Sequence, residues 1–221
     1  MVRVEEKMEK KNFIEVQGLY KQFKNRTVLT DIHVKFEAGK IYGIVGRNGS
    51  GKSVFLKCIC GFIPPTAGTI RVNGRIVGKE VDFPEEIGFI IEAPGFLNHL
   101  SGFKNLCYLA SIRNKIGNNT VEEYIRLVGL DPHDRKHVGK YSLGMRQRLG
   151  IAQALMEDPG ILLLDEPMNG LDQEGIQDMR ELFLKLKEQG KLILLATHVR
   201  EDVELLCDEV YEMQYGKLRK I

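Results

Sequence analysis

The residues Gly46-Arg47-Asn48-Gly49-Ser50-Gly51-Lys52-Ser53 stand between an apolar run, Ile41-Tyr42-Gly43-Ile44-Val45, and a helix-compatible run over 54–60. This is the pattern of a P-loop set between a strand and a helix. A polyphosphate needs a concave row of backbone N–H donors, and the glycines let the main chain curl around the oxygens with no Cβ in the way. The helix that follows turns its positive N-terminal end toward the same phosphates. In that arrangement Lys52 reaches the β and γ groups, and the Ser53 hydroxyl becomes a ligand for Mg²⁺.

Composition sets the bounds around this motif. A chain of 221 residues suffices for one well-buried core with at most a small second lobe. Hydrophobic residues at 43% and charged residues at 28% are the balance of a globular protein, and a net charge of +2 makes no case for nucleic acid as a partner. The longest apolar runs, 161–164 and 192–196, have strand length and fall far short of the about 20 residues of a membrane span. Any membrane role is therefore borrowed from a partner. Residues 1–11 are charged and lack an apolar segment, which reads as a frayed, solvated tail and not as a signal peptide. The cysteines at 58, 60, 107 and 207 lack zinc spacing and read as small apolar residues in a reducing cytosol.

Outward from the P-loop, Phe13, Ile14 and Val16, then Ile32, Val34 and Phe36, alternate as half-buried strands do. Thr69-Ile70-Arg71-Val72, the turn Asn73-Gly74 and Arg75-Ile76-Val77 form a hairpin, so an antiparallel flap lies beside the core. Gly61 caps the P-loop helix, and Pro64-Pro65 separates it from the hairpin. A strand is expected over 87–91. Helical patterning follows to about Met156, with Val121, Tyr124, Ile125 and Val128 on one face and Asp131-Pro132 as a break. The core then resumes with Ile161-Leu162-Leu163-Leu164, a helix striped by Met179, Leu182, Phe183 and Leu186, the strand 192–196 and a closing strand pair around Val210 and Leu218. Fully apolar strands alternating with amphipathic helices predict an α/β fold with a mainly parallel sheet covered on both faces.

Asp165-Glu166 ends one of these apolar strands, at the edge of the sheet where α/β proteins bind ligands. Asp165 is placed to hold Mg²⁺, and Glu166, pointing the other way, to polarise the water that attacks the γ-phosphate. Ser142 is a good N-cap for the helix running to about Met156, and its hydroxyl and the Gly144 N–H offer a positive helix end to an anion.

With those pieces placed, Tyr141-Ser142-Leu143-Gly144-Met145-Arg146-Gln147-Arg148 resembles the signature motif of the ATP-binding-cassette (ABC) ATPases. The order of P-loop, signature, Asp165-Glu166, Asn169-Gly170-Leu171-Asp172 and Thr197-His198 is similar to that family over nearly the whole chain. The resemblance implies a single ABC ATPase domain over 1–221, with a core and β flap from 12–91 and 157–221 and a helical subdomain over 92–156. It implies ATP and Mg²⁺ as cofactors, and catalytic roles for Lys52, Glu166 and His198. It also implies that Ser142 and Gly144 of one copy face the ATP held by Gly46 to Val54 of another. The partners are then a second copy or a related ATPase subunit, together with an integral-membrane permease that holds the chain at the inner face of the membrane. Phe23 corresponds to the ring that stacks on adenine, with Tyr20 as a competitor.

Three departures qualify this. Glu92 stands where the family usually has glutamine, in a loop that senses the γ-phosphate and Mg²⁺; a carboxylate there still reaches the metal through water but repels phosphate, so a steeper Mg²⁺ dependence is expected. Val54 replaces the usual hydroxyl residue and removes one hydrogen bond to the α-phosphate, worth about 0.5–1.5 kcal/mol. Leu143 and Met145 alter the signature. With Glu92, these traits resemble the branch of ABC-2-type exporters linked to bacitracin and lantibiotic resistance. Phe96, Leu97, Leu100, Phe103 and Leu106 either line a groove for the permease or pack in the core. The other readings are a soluble ABC-type ATPase and an ATP-binding module of low turnover. With a short strand pair at the end of the chain, no regulatory C-terminal domain is expected.

Overall fold

The computed structural model describes residues 12–92 and 94–221. The tail expected over 1–11 and the Ala93 part of the loop after the 87–91 strand lie outside the described residues.

β1 (Phe13–Phe23), β2 (Arg26–Glu37), β4 (Ala67–Val72) and β5 (Arg75–Ile76) form an antiparallel sheet in the order β2-β1-β4-β5. Its pairing, with Val16 opposite both Val34 and Ile70, puts the alternating apolar residues on one face. The expected two-residue turn is present, with Asn73 at φ 50° and Gly74 at φ 85°, although β5 is shorter than the sequence suggested and stops at Ile76.

The larger sheet runs β10-β9-β3-β8-β7-β6, built from β3 (Ile41–Val45), β6 (Ile87–Ile90), β7 (Ile161–Asp165), β8 (Leu192–Ala196), β9 (Glu209–Gln214) and β10 (Lys217–Lys220). All neighbours pair parallel except β9 with β10. Its central strands are apolar throughout because each face feeds a different core. Leu162, Leu164, Ile193 and Leu195 join a core with α4 (Leu143–Leu155) and α5 (Gln173–Glu188), while Leu163, Leu192, Leu194 and Ile44 join one with α1 (Lys52–Ile59) and the flap.

α1 ends as the sequence implies. Gly61, at φ 83°, donates to Cys58 O and Phe62 donates to Lys57 O, the paired bonds of a Schellman cap. Cys58 and Cys60 are buried between α1 and the flap, which pushes their thiols up to about 11 and about 12. Both are inert packing residues.

Between β6 and β7 lie α2 (Gly102–Arg113), α3 (Asn118–Leu127), a 3₁₀ turn (Val138–Lys140) and α4. Helix begins later than expected: 94–101 is irregular, and α2 starts only where the Ser101 side chain caps it by accepting from Lys104 N at 3.3 Å. Leu106 is fully buried and Phe96 and Phe103 pack on the same core, which removes Leu106 from any surface groove; Leu97 is exposed.

Candidate active site

Strand β3 delivers the chain into the P-loop, and close backbone packing dictates its first residue. A Cβ at Gly46, where φ is 151°, would run into the carbonyl of Met213 in β9. Lys52, buried at 7% exposure, folds back so that Nζ donates to Gly46 O at 2.7 Å, with Arg47 O at 3.5 Å. Its ammonium therefore sits inside the loop's curve. Ser50 Oγ, in the same turn, is a buried side-chain atom with no partner among the described residues.

At the start of α1, Ser53 Oγ donates to Asp165 Oδ2 at 2.5 Å, tying the P-loop helix to the C-terminal end of β7. The next residue, Glu166, is held from three sides. Its N–H donates to Ala196 O of β8 at 2.8 Å, its carbonyl accepts from Gln147 Nε2 of α4 at 3.3 Å, and its Oε1 lies 2.7 Å from His198 Nδ1. Glu166 is also in the left-handed region, at φ 50°, and Glu92 is at φ 64°. Left-handed backbone is uncommon for a residue with a long side chain and is paid for by surrounding contacts.

Lys52, Ser53, Asp165 and Glu166 line an open cleft of about 820 Å³, whose lining does not include Gly46 or His198. Of the residues singled out in the sequence, Phe23, Asn48, Gly49, Gly51, Lys52, Ser53, Val54, Glu92, Leu143, Gln147, Asp165, Glu166 and Asn169 line it. Arg47 and Ser50 face an adjoining recess near Glu212 and Tyr215. Phe23 lines the cleft and Tyr20 does not, and Lys21 Nζ lies 4.7 Å from the Phe23 ring centre. Ser142 accepts from Met145 N at 3.1 Å, so its hydroxyl caps its own helix; neither it nor Gly144 lines the cleft, whereas Leu143 between them does. Glu92 Oε1 is engaged by Lys57 Nζ at 2.5 Å.

Sequence reasoning gave no individual role to three residues that the structure brings to the site. Arg26 lines the cleft beside Phe23, Gln147 reaches the Glu166 carbonyl, and Lys57 meets Glu92. The signal for Lys57 was a basic residue in the last turn of α1, which helix electrostatics alone would have explained.

The donor set suits Mg²⁺. One hydroxyl and one carboxylate, both hard oxygens at the mouth of a phosphate cradle, match a cation that keeps most of its shell for water and substrate phosphates. Among the described residues no group of three or more His, Cys, Asp or Glu forms a self-sufficient metal site.

A P-loop at the end of a central parallel strand, with an acid pair two strands away across β8 and an antiparallel flap alongside, defines a P-loop NTPase of the ABC ATPase fold. The profile of the ABC transporter family matches residues 29–169. The chain is 42% identical over 205 residues to the ABC transporter ATP-binding protein YybJ of Bacillus subtilis (strain 168), covering 93% of this chain and 94% of that one. It is 41% identical over 207 residues to the bacitracin transport ATP-binding protein BcrA of Enterococcus faecalis, covering 93% and 67%. To the lantibiotic transport ATP-binding protein SrtF of Streptococcus pyogenes it is 36% identical over 205 residues, covering 93% and 88%. A solved ATP-binding subunit of an ABC transporter superposes with a TM-score of 0.84 at 27% identity, over 95% of this chain and 89% of that one. The cassette MJ0796, in a dimeric post-hydrolysis state bound to ADP and Pi, superposes with a TM-score of 0.85 at 21% identity, over 94% and 97%, a likeness of fold. The chain belongs to the ABC transporter family as an ATP-binding subunit, homologous to those of bacitracin and lantibiotic transporters.

Proposed function

We propose that this chain is the ATP-hydrolysing subunit of an ABC-2-type exporter in the bacitracin and lantibiotic branch. It closes with a second copy, or with a related ATPase subunit, around two ATP and two Mg²⁺ and drives a separate integral-membrane permease. One ABC ATPase domain spans 1–221, in which 12–91 and 157–221 form the core and 92–156 the helical subdomain. The observation that carries this reading is the Glu166–His198 contact of 2.7 Å beside the Ser53–Asp165 pair at the mouth of the P-loop.

In this reading the N–H groups of 46–53 and the Lys52 ammonium hold the triphosphate, and Phe23 stacks on adenine. Ser53 and Asp165 hold Mg²⁺, which when bound neutralises charge between the β and γ phosphates. Glu92 reaches the metal through water. Glu166 orients and polarises the attacking water, and His198 holds Glu166 and contacts the γ-phosphate. Ser142 and Gly144 lie outside their own chain's cleft, which supports the view that they serve the nucleotide of the opposite copy. Among the described residues no helix is long and apolar enough to cross a membrane, so attachment to its inner face falls to the permease.

Sedimentation of Glu166→Gln with saturating Mg²⁺ and ATP tests the reading. We expect a shift from monomer to dimer that Lys52→Ala abolishes. Monomers alone in the presence of bound ATP would refute the closed dimer.

A further inference from the structure

Lys57 lies in the last turn of α1, one turn beyond Ser53, and its backbone is fixed by the Schellman cap, in which its carbonyl accepts from Phe62 N at 3.0 Å. Its ammonium meets Glu92 Oε1 at 2.5 Å. The lysine side chain is mostly covered, at 24% exposure, whereas the glutamate, held at φ 64° just after β6, is 65% exposed and lines the same cleft as Ser53 and Asp165. A carboxylate at that place adds negative charge beside a triphosphate, which opposes binding. The pair with Lys57 is neutral and engages one of the two carboxylate oxygens, leaving the other to accept a hydrogen bond from a metal-bound water. One available acceptor oxygen and no net charge are what a glutamine side chain would present.

We propose that Lys57 is a positioning residue for Glu92, and that the two form a neutral unit taking the place of an amide at the cleft. This rests on the reading of the cleft as an ATP site and refines it. The steep Mg²⁺ dependence expected from a bare glutamate then belongs to variants that lack Lys57, because the native carboxylate is already compensated.

The test is equilibrium binding of a fluorescent ATP analogue, in EDTA and in Mg²⁺, to the full chain and to Lys57→Met, Lys57→Arg, Glu92→Gln and the Lys57→Met/Glu92→Gln double variant. Thermal unfolding of each runs in parallel. Lys57→Met is expected to weaken binding about five- to tenfold, more in EDTA than in Mg²⁺, the scale of one uncompensated charge near the phosphates. Lys57→Arg should remain within about twofold of wild type, and adding Glu92→Gln to Lys57→Met should restore affinity to a similar margin. Equal weakening in Lys57→Met and the double variant would show a merely structural lysine and overturn the proposal, as would unchanged affinity in Lys57→Met. Lys57→Gln serves as a second neutral variant should Lys57→Met not fold, and failure of both to fold would also count against it. A wild-type chain that does not bind the analogue would instead overturn the ATP-site reading.

Discussion

His198 Nδ1 stands 2.7 Å from Glu166 Oε1, bridging the ends of β8 and β7 at the edge of the cleft. The imidazole is 59% exposed and the carboxylate 20%, so the histidine braces the acid from the solvent side. If Glu166 acts on the attacking water, its loss stops chemistry and leaves binding intact. Glu166→Gln is expected to lower phosphate release by a factor of about 10² or more, the usual range for a lost general base. Its ATP affinity should stay within about threefold of wild type. His198→Ala should lose activity in the same sense. Phosphate release and nucleotide binding measured on the same preparations check this, and a Glu166→Gln protein with near-normal turnover would exclude the assigned role.

Val54 has two neighbours to satisfy. It lines the cleft, and it packs on the flap-side core. If the cleft holds ATP as proposed, Val54→Thr offers the α-phosphate a hydroxyl, a gain of about 0.5–1.5 kcal/mol, or roughly two- to tenfold in affinity. The same hydroxyl meets apolar neighbours, so a small loss of thermal stability should accompany it. Tighter nucleotide binding together with a slightly lower Tm is the expected pair of results, and an unchanged Kd contradicts the argument.

A buried ion pair fixes the segment just after His198. Arg180 of α5 donates through Nε to Asp202 Oδ1 at 2.9 Å and through Nη2 to the same oxygen and to Glu201 Oε2, on α6 (Arg200–Leu206). Arg180 is 8% exposed and Asp202 3%. Removing the guanidinium strands a carboxylate in the interior, which costs about 3–5 kcal/mol. Arg180→Met should therefore lower Tm by roughly 6 to 20 °C. Arg180→Met/Asp202→Leu should recover much of the loss, because no charge is left unpaired. Calorimetry on the two variants checks both, and equal destabilisation would mean that the arginine acts through packing instead.

Much of this architecture was legible because the burial is extreme. The runs 161–164 and 192–196 are apolar on both faces, and the structure makes both interior strands of the parallel sheet. The P-loop was legible for a different reason: its glycines answer a local steric demand. What could not be read is what depends on residues far apart in the chain. The left-handed backbone of Glu166 and Glu92 runs against the local preference of glutamate and is imposed by bonds from β8, α4 and α1. The Lys57–Glu92 and Gln147–Glu166 contacts join segments 35 and 19 residues apart. The onset of α2 was obscured because its sequence carries exposed apolar residues, Tyr108 and Ile112, which blur the periodicity.

At the sheet edge, Glu209 is gripped by two lysines, Lys220 Nζ on Oε2 and Lys40 Nζ on Oε1, each at 2.7 Å. The bond from Lys220, then that from Lys40, draws the carboxyl down from 4.5 to about 2. Because the folded value is depressed, the stabilisation is fully present above about pH 4.5 and is lost as the pH falls through about 2. Both lysines are substantially exposed, at 59% and 42%, so solvent screening limits the effect to about 1 kcal/mol. Glu209→Gln should thus be less stable than wild type at neutral pH by about that amount, and the gap should shrink in 1 M salt, where the Debye length is about 3 Å. Urea denaturation of both proteins at neutral pH, near pH 4.5 and near pH 2.5 follows it: the gap should hold between the first two and narrow by the third. A gap as wide near pH 2.5 as at neutrality would show that the glutamate contributes through its shape and neutral hydrogen bonds, and that its charge adds nothing to the β9–β10 edge.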